Sequence, residues 1–350
     1  MRASEVFIIG GGPAGLAAAI AARRKGFDVT LADGAIPPID KACGEGLMPD
    51  GLAALRRLGV KLDAQPFRGI RFVSGGLSVD AAFREGPALG VRRTVLHSTM
   101  IEAAAAAGVK MLWGTPVSGI CEEGVQLADG IVPARWIVGA DGFRSRVRHW
   151  AGLAAPPARK RFGFRIHYCM APWSDYMELH WGRGCQIYVT PVGPHQVCAA
   201  LISRNPHLRL EEALAQFPYL AERLSSAARV TAERGAVTGN CTLRRVYRGR
   251  VALIGDASGS VDAITGEGLC LSFQQAVALA DSLAAEDLAA YQRAHRRLAR
   301  RRLFMSNLLL ALDRCDWLRT GALRAMSAQP HLFRGMLSFH SALPWDHAEA

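Results

Sequence analysis

A glycine-rich turn close to the N-terminus constrains the fold of this chain more than any other feature. Residues 5–9 predict a short buried strand, and Gly10, Gly12 and Gly15 follow it in GxGxxG spacing at the start of an alanine-rich helix. The first glycine permits a tight turn, the second lets the backbone approach a pyrophosphate, and the third lets helix and strand pack closely. The free N–H groups that begin such a helix favour a phosphate.

An acidic residue completes this first motif. A second strand is predicted from Phe27 to Ala32, and it ends at Asp33. An acid at this place in a βαβ unit binds the ribose hydroxyls of an adenosine. The motif therefore predicts a bound dinucleotide, with a purely structural glycine turn as the alternative. On its own it does not distinguish NAD from FAD.

Two later motifs resolve that choice. One is Gly139-Ala140-Asp141-Gly142, and the other consists of Gly255-Asp256-Ala257 with Gly266-Glu267-Gly268, which precedes a helix predicted over about 268–284. In this order the motifs resemble those of the flavoprotein monooxygenase and geranylgeranyl-reductase superfamily, whose fold is that of p-hydroxybenzoate hydroxylase. The resemblance covers about residues 4–285 and implies that FAD is the cofactor.

The resemblance also implies roles for individual residues. Asp256, with Gly255, would bind the ribityl chain, and the turn at Gly266, Glu267 and Gly268 would place N–H groups and a helix N-terminus at the flavin N1–C2=O edge. Such positive dipoles stabilise the reduced, anionic flavin. Asp141 would face the cofactor, and Arg93, in an Arg-x-x-Leu-x-x-x-Leu pattern that ends in Met100, would contact it. The alternatives are a helix cap for Asp256, a turn aspartate for Asp141 and a surface arginine for Arg93.

The segment from Lys41 to Leu47 matches the loop that runs beside the flavin. Its Cys43-Gly44 pair is typical of the reductase branch, so Cys43 either approaches the ring or is simply a small side chain that fits. Two departures from the family stand out. Ala263 replaces a proline before the last glycine turn, which leaves that loop less rigid. The Tyr-x-Trp-x-Phe-Pro signature of prenyl reductases is absent, and the stretch that begins at Tyr188 stands in its place.

The fold class expected from this pattern is α/β: a Rossmann-type FAD-binding domain with a β-meander, interleaved with a mostly antiparallel β-sheet substrate domain, and a helical C-terminus. The FAD-binding domain would comprise residues 1–68, 91–158 and 246–285. The substrate domain would comprise 69–90 and 159–245, with strands over 162–170, 176–181, 185–191 and 196–203 and a helix near 209–226. Residues 286–350 would form the helical region.

Catalytic candidates come from the substrate domain and the flavin loop. Strand alternation places Phe164, Ile166 and Tyr168 on one face and Arg165 and His167 on the other. His167 is the preferred candidate for proton transfer, because the pKa of a histidine can lie near neutrality; a structural histidine is the alternative. Cys43 and Tyr188 are further candidates, and His180 and His97 are weaker ones. No spacing indicates a metal site.

Composition excludes several classes of protein. The net charge of +12 is carried mostly by arginine, but no segment interleaves basic and aromatic residues as a nucleic-acid platform would, so nucleic-acid binding is not expected. The eight cysteines are scattered without a CxxC pair, which favours reduced thiols in a cytoplasmic protein. No apolar run reaches the length of a membrane span.

The C-terminal region combines leucines with a row of arginines: Arg293, Arg296, Arg297, Arg300, Arg301 and Arg302. This amphipathic pattern predicts a helix docked on its own protein with a solvated basic face. The alternative is contact with an anionic membrane surface or a lipid-tailed substrate.

Together these features predict an enzyme, an FAD-dependent oxidoreductase that acts on a small apolar substrate. The first interpretation is an NAD(P)H-dependent monooxygenase hydroxylating an aromatic or polyketide-like substrate, with NAD(P)H bound only transiently because no second GxGxxG is present. The alternatives are a geranylgeranyl-reductase-like flavoprotein that reduces C=C bonds of an isoprenoid or lipid, and a flavin-fold protein that binds without turnover. A flavin halogenase is disfavoured because no Trp-x-Trp-x-Ile-Pro stretch is present.

Overall fold

A computed structural model describes residues 4–153 and 159–341. Its first sheet is built on parallel strands in the order Val251–Leu253, Gly130–Gly139, Ser4–Ile9, Val29–Asp33 and Lys110–Trp113. Tyr247–Arg248 adds an antiparallel edge, and Gly119–Ile120 and Gly124–Leu127 form the meander that precedes Gly130–Gly139. We call this the parallel sheet. It confirms the predicted Rossmann-type unit, but the strand Lys110–Trp113 was not predicted.

The second sheet lies over the carboxyl ends of these strands and is mostly antiparallel. Its order is Ala228–Arg229, Arg161–Cys169, Gln196–Ser203, Cys185–Gly193, Tyr176–Trp181, Gly69–Ser74 and Leu77–Ala82, and Arg234–Thr238 pairs with Arg161–Cys169. The pair of Tyr176–Trp181 with Gly69–Ser74 is parallel. Two small sheets complete the strands, one of Gly46–Leu47, Gln65–Phe67 and Ala88–Gly90 and one of Cys241–Thr242 and Gly259–Ser260. The predicted fold class is thereby confirmed.

Ten α-helices occur in the described residues: α1 (Pro13–Arg24), α2 (Pro49–Arg57), α3 (Arg93–Ala106), α4 (Arg146–Trp150), α5 (Leu210–Leu214), α6 (Pro218–Ser225), α7 (Gly268–Ala284), α8 (Leu288–Arg314), α9 (Asp316–Ala328) and α10 (Pro330–Ser341). The single helix predicted near 209–226 is two helices. Pro218 starts a new helix because a proline lacks the N–H that an interior position would use, but fits the first turn. Residues 1–3, 154–158 and 342–350, which the predicted domain boundaries include, lie outside the described residues.

Two apolar cores hold the sheets and helices together. The larger one joins the parallel sheet to the helices that pack on it, α1 and α7 among them, and the smaller one lies between the second sheet and the helices α5 and α6. Ile166 and Tyr168 belong to the smaller core, whereas Arg165 and His167 face the opposite side of the sheet. The predicted alternation along this strand is confirmed. None of the described helices is long and apolar enough to span a bilayer.

The prediction of a solvated basic face on α8 is wrong for one arginine. Arg293, Arg296, Arg297 and Arg300 are exposed, as expected, but the Arg302 side chain is only 1% exposed and pairs with the Asp50 carboxylate. Buried charges require a partner of opposite sign. The partner here comes from α2, about 250 residues earlier in the chain, so the helical pattern alone gave no sign of it.

Candidate active site

The three sequence motifs converge on one cleft of about 570 Å³ at the carboxyl ends of the parallel strands. Ligands bind at this edge in open α/β sheets. The cleft is lined by the predicted residues Gly10, Gly12, Asp33, Cys43, Gly44, Arg93, Asp141, Gly255, Asp256, Gly266 and Gly268. Gly15 and the Glu267 side chain, which were also predicted to bind the cofactor, do not line it.

Several of these glycines face open space. A Cβ atom built on Gly44, Gly142 or Gly268 would meet no atom within 4 Å, and one on Gly12 would meet only the Arg93 Nη2 atom, at 4.0 Å. Packing within the protein therefore does not explain why side chains are missing at Gly12, Gly44 and Gly268. A large flat or phosphate-bearing group in the cleft does explain it, because it needs the backbone at close range. The residues present thus fit FAD.

Other glycines serve the fold itself. A Cβ atom on Gly15 would lie 1.9 Å from the Gly10 carbonyl oxygen, so the third glycine lets α1 pack on the first strand. Gly10 has a φ of +114°, which L side chains rarely adopt, and its Cβ would lie 2.5 Å from the Ala140 carbonyl oxygen. The different roles inferred from the GxGxxG spacing therefore correspond to different surroundings in the structure.

Two helix N-termini open onto the cleft. α1 begins at Pro13 after Gly12, and α7 begins at Gly268 after Glu267; neither N-cap side chain accepts a hydrogen bond from its helix, and neither first turn carries an acid. Free N–H groups and a positive dipole therefore remain available at both places. This donor set suits a ligand that carries phosphates at one end and gains negative charge at the other.

The three predicted acids differ in how much of their hydrogen-bonding capacity the protein uses. Asp33 accepts from the Gly11 N–H at 2.6 Å and from the Ala35 N–H at 2.8 Å, which fixes it at the cleft edge. Asp141 accepts from the Ser145 hydroxyl at 2.5 Å and from the N–H groups that begin α4, so it is a helix-capping residue as well as part of the wall. The Asp256 carboxylate has only Lys41, at 3.8 Å, as a partner among the described residues, and is therefore the most available to a ligand.

The backbone of Arg93 is held by a hydrogen bond, whereas one N–H group of its side chain has no partner among the described residues. Its N–H donates to the Glu45 carboxylate at 2.9 Å, and its Nη2 atom lies over Gly12. Within the described residues its buried Nε–H has no hydrogen-bond partner. A buried donor without a partner costs free energy unless a ligand accepts from it. The predicted FAD contact of Arg93 is consistent with this placement.

The loop that carries Cys43 is held from the second sheet. The Thr190 hydroxyl donates to the Gly44 carbonyl oxygen at 2.7 Å, and the Cys198 thiol lies 3.7 Å from the Cys43 carbonyl oxygen. Glu45 has a φ of 59°, an unusual conformation for a residue with a side chain, and its carboxylate is buried. These contacts present Cys43 to the cleft in a defined position.

His167 lies behind the cleft wall rather than in it. Its Nε2 atom is 2.6 Å from a Glu45 carboxylate oxygen, and its Nδ1 atom is 3.1 Å from the Arg165 Nη1 atom. Because a guanidinium can only donate, Nδ1 accepts and Nε2–H donates to Glu45, which makes the ring neutral. His167 therefore holds the Glu45 loop in this structure, and its proposed contact with substrate would require a rearrangement. Glu45, for which the sequence predicted no role, connects the second sheet to the start of α3.

A metal ion is disfavoured at this point of the molecule. The ligand atoms of Glu45, His167 and Cys198 lie within 4.8 Å of one another, a spacing that could hold a cation. However, the Arg165 guanidinium contacts His167 and lies 3.9 Å from Glu45. The carboxylate charge is therefore already balanced by an arginine.

The remaining candidates have structural partners. The Tyr188 hydroxyl lines the cleft and donates to the Ile264 carbonyl oxygen, and burial raises its pKa, so it keeps its proton near neutral pH. His97 donates from Nε2 to the Gly11 carbonyl oxygen at 2.7 Å and accepts from the Ile39 N–H, and burial lowers its pKa. His180 pairs with Glu178 at 2.9 Å and does not line the cleft.

The wall opposite the cofactor-facing glycines comes from the second sheet. Its small or aliphatic side chains are those of Ala200, Ile202 and Ala236, together with Met177, whereas Phe164 and Leu201 line the cleft but turn their side chains to the smaller core. An apolar wall beside a few polar groups is typical of sites that bind an apolar ligand and exclude water. The sequence located this sheet, but of its cleft-lining apolar residues it singled out only Phe164.

Comparison with known proteins agrees with this geometry. The family model described as "FAD binding domain" matches residues 3–303. A menaquinone reductase from Mycolicibacterium smegmatis is 30% identical over 308 residues, which cover 76% of this chain and 73% of that protein. A 6-methylpretetramide 4-monooxygenase from Streptomyces rimosus is 28% identical over 321 residues, covering 79% of this chain and 74% of the relative. The crystal structure of a flavoprotein/dehydrogenase from Cytophaga hutchinsonii superposes with a TM-score of 0.83 at 20% identity, covering 98% of this chain and 94% of that one.

Proposed function

The chain belongs to the FAD-binding-domain flavoproteins with the p-hydroxybenzoate hydroxylase fold and is an FAD-dependent oxidoreductase; from this premise we propose that it reduces a carbon–carbon double bond in an isoprenoid-tailed substrate of the menaquinone class. The observation that carries the proposal is the position of Cys43, in the cleft between the cofactor-facing glycines and the apolar wall. The similarity to a menaquinone reductase supports the same choice.

The residues that would hold FAD are those with free donors or acceptors in the cleft. The N-terminus of α1 would take the phosphates, Asp33 the adenosine ribose, and Asp256 the ribityl hydroxyls. Arg93 would donate to the cofactor through its free Nε–H, and the N-terminus of α7 would face the flavin. Bound FAD supplies a hydride in its reduced form. NAD(P)H would be the electron donor, bound only transiently.

Reduction of a double bond needs a proton as well as a hydride. Cys43 is the group we assign to this transfer, because its loop is fixed by Thr190 and Glu45 and its side chain reaches the cleft. Tyr188 is a poorer donor, since its hydroxyl is already committed to the Ile264 carbonyl oxygen. The apolar wall would align an isoprenoid chain and exclude water from the reacting carbons.

The monooxygenase predicted from the sequence is the second candidate. It is favoured by the similarity to the 6-methylpretetramide 4-monooxygenase. The same apolar wall would accept a flat aromatic substrate. The two functions differ in their need for oxygen.

An anaerobic assay separates them. The purified, FAD-loaded protein is reduced with NAD(P)H or dithionite and mixed with menaquinone or with an aromatic polyketide, and the products are measured by mass spectrometry. We expect a product that still carries two added hydrogens in its isoprenoid tail after the quinol ring has been reoxidised in air to the quinone. A product that gains one oxygen, and only in air, would replace the reductase by the monooxygenase.

Variants test the role of Cys43. Cys43→Ala should still bind FAD and allow its reduction, but the rate of product formation should fall at least about tenfold. This is a minimum, because a positioned proton donor usually contributes a factor of about 100 or more to the rate. Cys169→Ala is the matched control, because Cys169 is an exposed cysteine on the second sheet outside the cleft. Equal rates for Cys43→Ala and the unaltered protein would remove Cys43 from the reaction.

A further inference from the structure

Behind the last glycine turn lies a buried cluster of charged groups that the proposed reaction does not use. It consists of Asp50 from the first turn of α2, Glu267 before α7, Arg302 on α8 and His340 on α10, all 5% exposed or less. Arg302 donates to an Asp50 carboxylate oxygen, and its Nε atom is 3.4 Å from Glu267. We call these four residues the Glu267 cluster.

Glu267 and His340 face each other inside this cluster without a hydrogen bond between them. The His340 Nε2 atom lies 3.1 Å from the Thr265 carbonyl oxygen, which can only accept, so Nε2 carries a hydrogen. The other ring nitrogen, Nδ1, is 3.2 Å from a Glu267 carboxylate oxygen. His340 Nδ1 and both Glu267 carboxylate oxygens have no hydrogen-bond partner among the described residues. An ionised Glu267 is balanced by Arg302, and a protonated Glu267 can donate to the His340 Nδ1 lone pair.

This pair of side chains lies directly behind the cleft wall. Gly266 and Gly268 both line the cleft, and Glu267 stands between them with its side chain turned to the opposite side. The Thr265 carbonyl that accepts from His340 belongs to the same turn. A charge on Glu267 is therefore one residue away from the surface that would contact the flavin. Inside a protein, charges at such short range interact strongly.

We propose that the Glu267 cluster is a proton-linked regulator of the flavin: Glu267 takes up a proton when the cofactor gains negative charge and releases it when the cofactor is reoxidised. The proposal rests on FAD binding, but not on the identity of the substrate. Reduction adds two electrons and one proton to FAD to give its anionic reduced form. A second proton from solvent then converts the Glu267 carboxylate to the acid. Ionised Glu267 would otherwise make the reduced cofactor less stable.

The charges around Glu267 are consistent with titration near neutral pH. Burial raises the pKa of Glu267 to about 7, against the opposing effect of Arg302 and Arg301. Burial also lowers the pKa of His340 to about 4, so a proton that this pair takes up near neutral pH goes to Glu267. Asp50 is a second acid within the cluster, and Cys270 on α7 is kept protonated by burial and by both carboxylates. With Arg302 balancing one carboxylate, the other can gain or lose a proton.

Proton uptake during flavin reduction tests the proposal directly. The FAD-loaded protein is reduced in weakly buffered solution with a pH indicator, and the bound flavin's midpoint potential is measured from about pH 5.5 to about pH 8.5, around the window that the Glu267 pKa defines. We expect Glu267→Gln to have a higher midpoint potential than the unaltered protein at the alkaline end. We also expect it to take up fewer protons per two electrons there, the difference approaching one.

Two further variants provide a control and a second test of the proposal. Glu222→Gln changes an exposed acid on α6 in the same way and should leave both measurements unchanged. Asp50→Asn removes the neighbouring negative charge and should move the proton uptake to lower pH, even if Glu267→Gln does not fold. Equal proton uptake and equal potentials in Glu267→Gln and the unaltered protein at every pH would overturn the proposal. A protein that binds no FAD would instead contradict the assigned cofactor.

Discussion

Replacing Arg302 with methionine removes a buried cation that faces two buried carboxylates. The side chain is 1% exposed, and its guanidinium donates to Asp50 and to the Leu298 carbonyl oxygen while its Nε atom lies near Glu267. Methionine has a similar length and fills the same space without charge. The variant therefore tests electrostatics more than packing.

The expected cost is large. Removing one partner of a buried ion pair leaves an uncompensated charge and costs about 3–5 kcal/mol of unfolding free energy. A domain has only about 5–15 kcal/mol in total, so Arg302→Met should unfold at a much lower denaturant concentration. Arg300→Met is the control, because Arg300 is exposed on the same helix and its loss should change the stability by no more than about 0.5 kcal/mol.

The cost should depend on pH. Burial already raises the pKa values of Glu267 and Asp50, and loss of Arg302 removes the cation that lowers both. In the folded variant the Asp50 and Glu267 carboxyl groups then keep protons that they release in the unfolded chain above about pH 4.3. The free energy of unfolding of the variant therefore falls further as the pH rises. Urea unfolding at about pH 5 and about pH 8 should show the larger loss at the higher pH.

Compensating changes should restore the stability. The triple variant Asp50→Asn, Glu267→Gln and Arg302→Met carries no charge at these three positions and should recover most of the lost free energy, since neutral groups replace an unpaired charge. A cost below about 1 kcal/mol for Arg302→Met at about pH 8 would refute the reasoning, because it would mean that water or another group already compensates the carboxylates.

Three other outcomes follow from the structure. Gly12→Val should lower the affinity for FAD at least about tenfold, because the valine side chain would enter the open cleft. Titration with FAD measures the affinity, and the unfolding of the apoprotein should be unchanged. Gly15→Ala should cost about 3 kcal/mol or more of unfolding free energy, since its Cβ would lie 1.9 Å from the Gly10 carbonyl oxygen; unchanged denaturant midpoints would contradict this. We also propose that α8 contacts an anionic membrane. Sedimentation should show salt-sensitive binding to anionic vesicles, and this binding should weaken in Phe304→Ser, because Phe304 is 59% exposed on α8. Equal binding to neutral vesicles would exclude the proposal.

The sequence predicted the features that depend on local backbone geometry. Gly10 is required by a turn, Gly15 by helix packing and Gly12 by a ligand in the open cleft, and the GxGxxG spacing indicates all three. The helix that starts at Gly268 was predicted with its observed ends, because a glycine turn and a long apolar stretch define it. The strand Lys110–Trp113 was not predicted, since its short length and mixed polarity give no alternation signal.

The buried polar contacts could not be predicted from the sequence, because each joins residues that lie far apart in the chain. His167 is a reasonable proton-transfer candidate by residue type, but its role depends on Glu45, which lies 122 positions away in the chain. Arg302 belongs to a basic stripe by pattern, and only its contact with Asp50 shows that it is buried. A buried polar residue is recognised by its partner, and one sequence does not show which residues are partners.

The same pairs explain how the second sheet can influence the cofactor without touching it. Arg165 and His167 hold the loop through Asp40 and Glu45, and the other oxygen of Glu45 accepts from the Arg93 N–H. The strand that carries these residues also supplies part of the cleft wall. Through Glu45 it is connected to Cys43 and to the start of α3. The positions of Cys43, the proposed proton donor, and of Arg93, the proposed FAD contact, thus depend on one connected group of side chains.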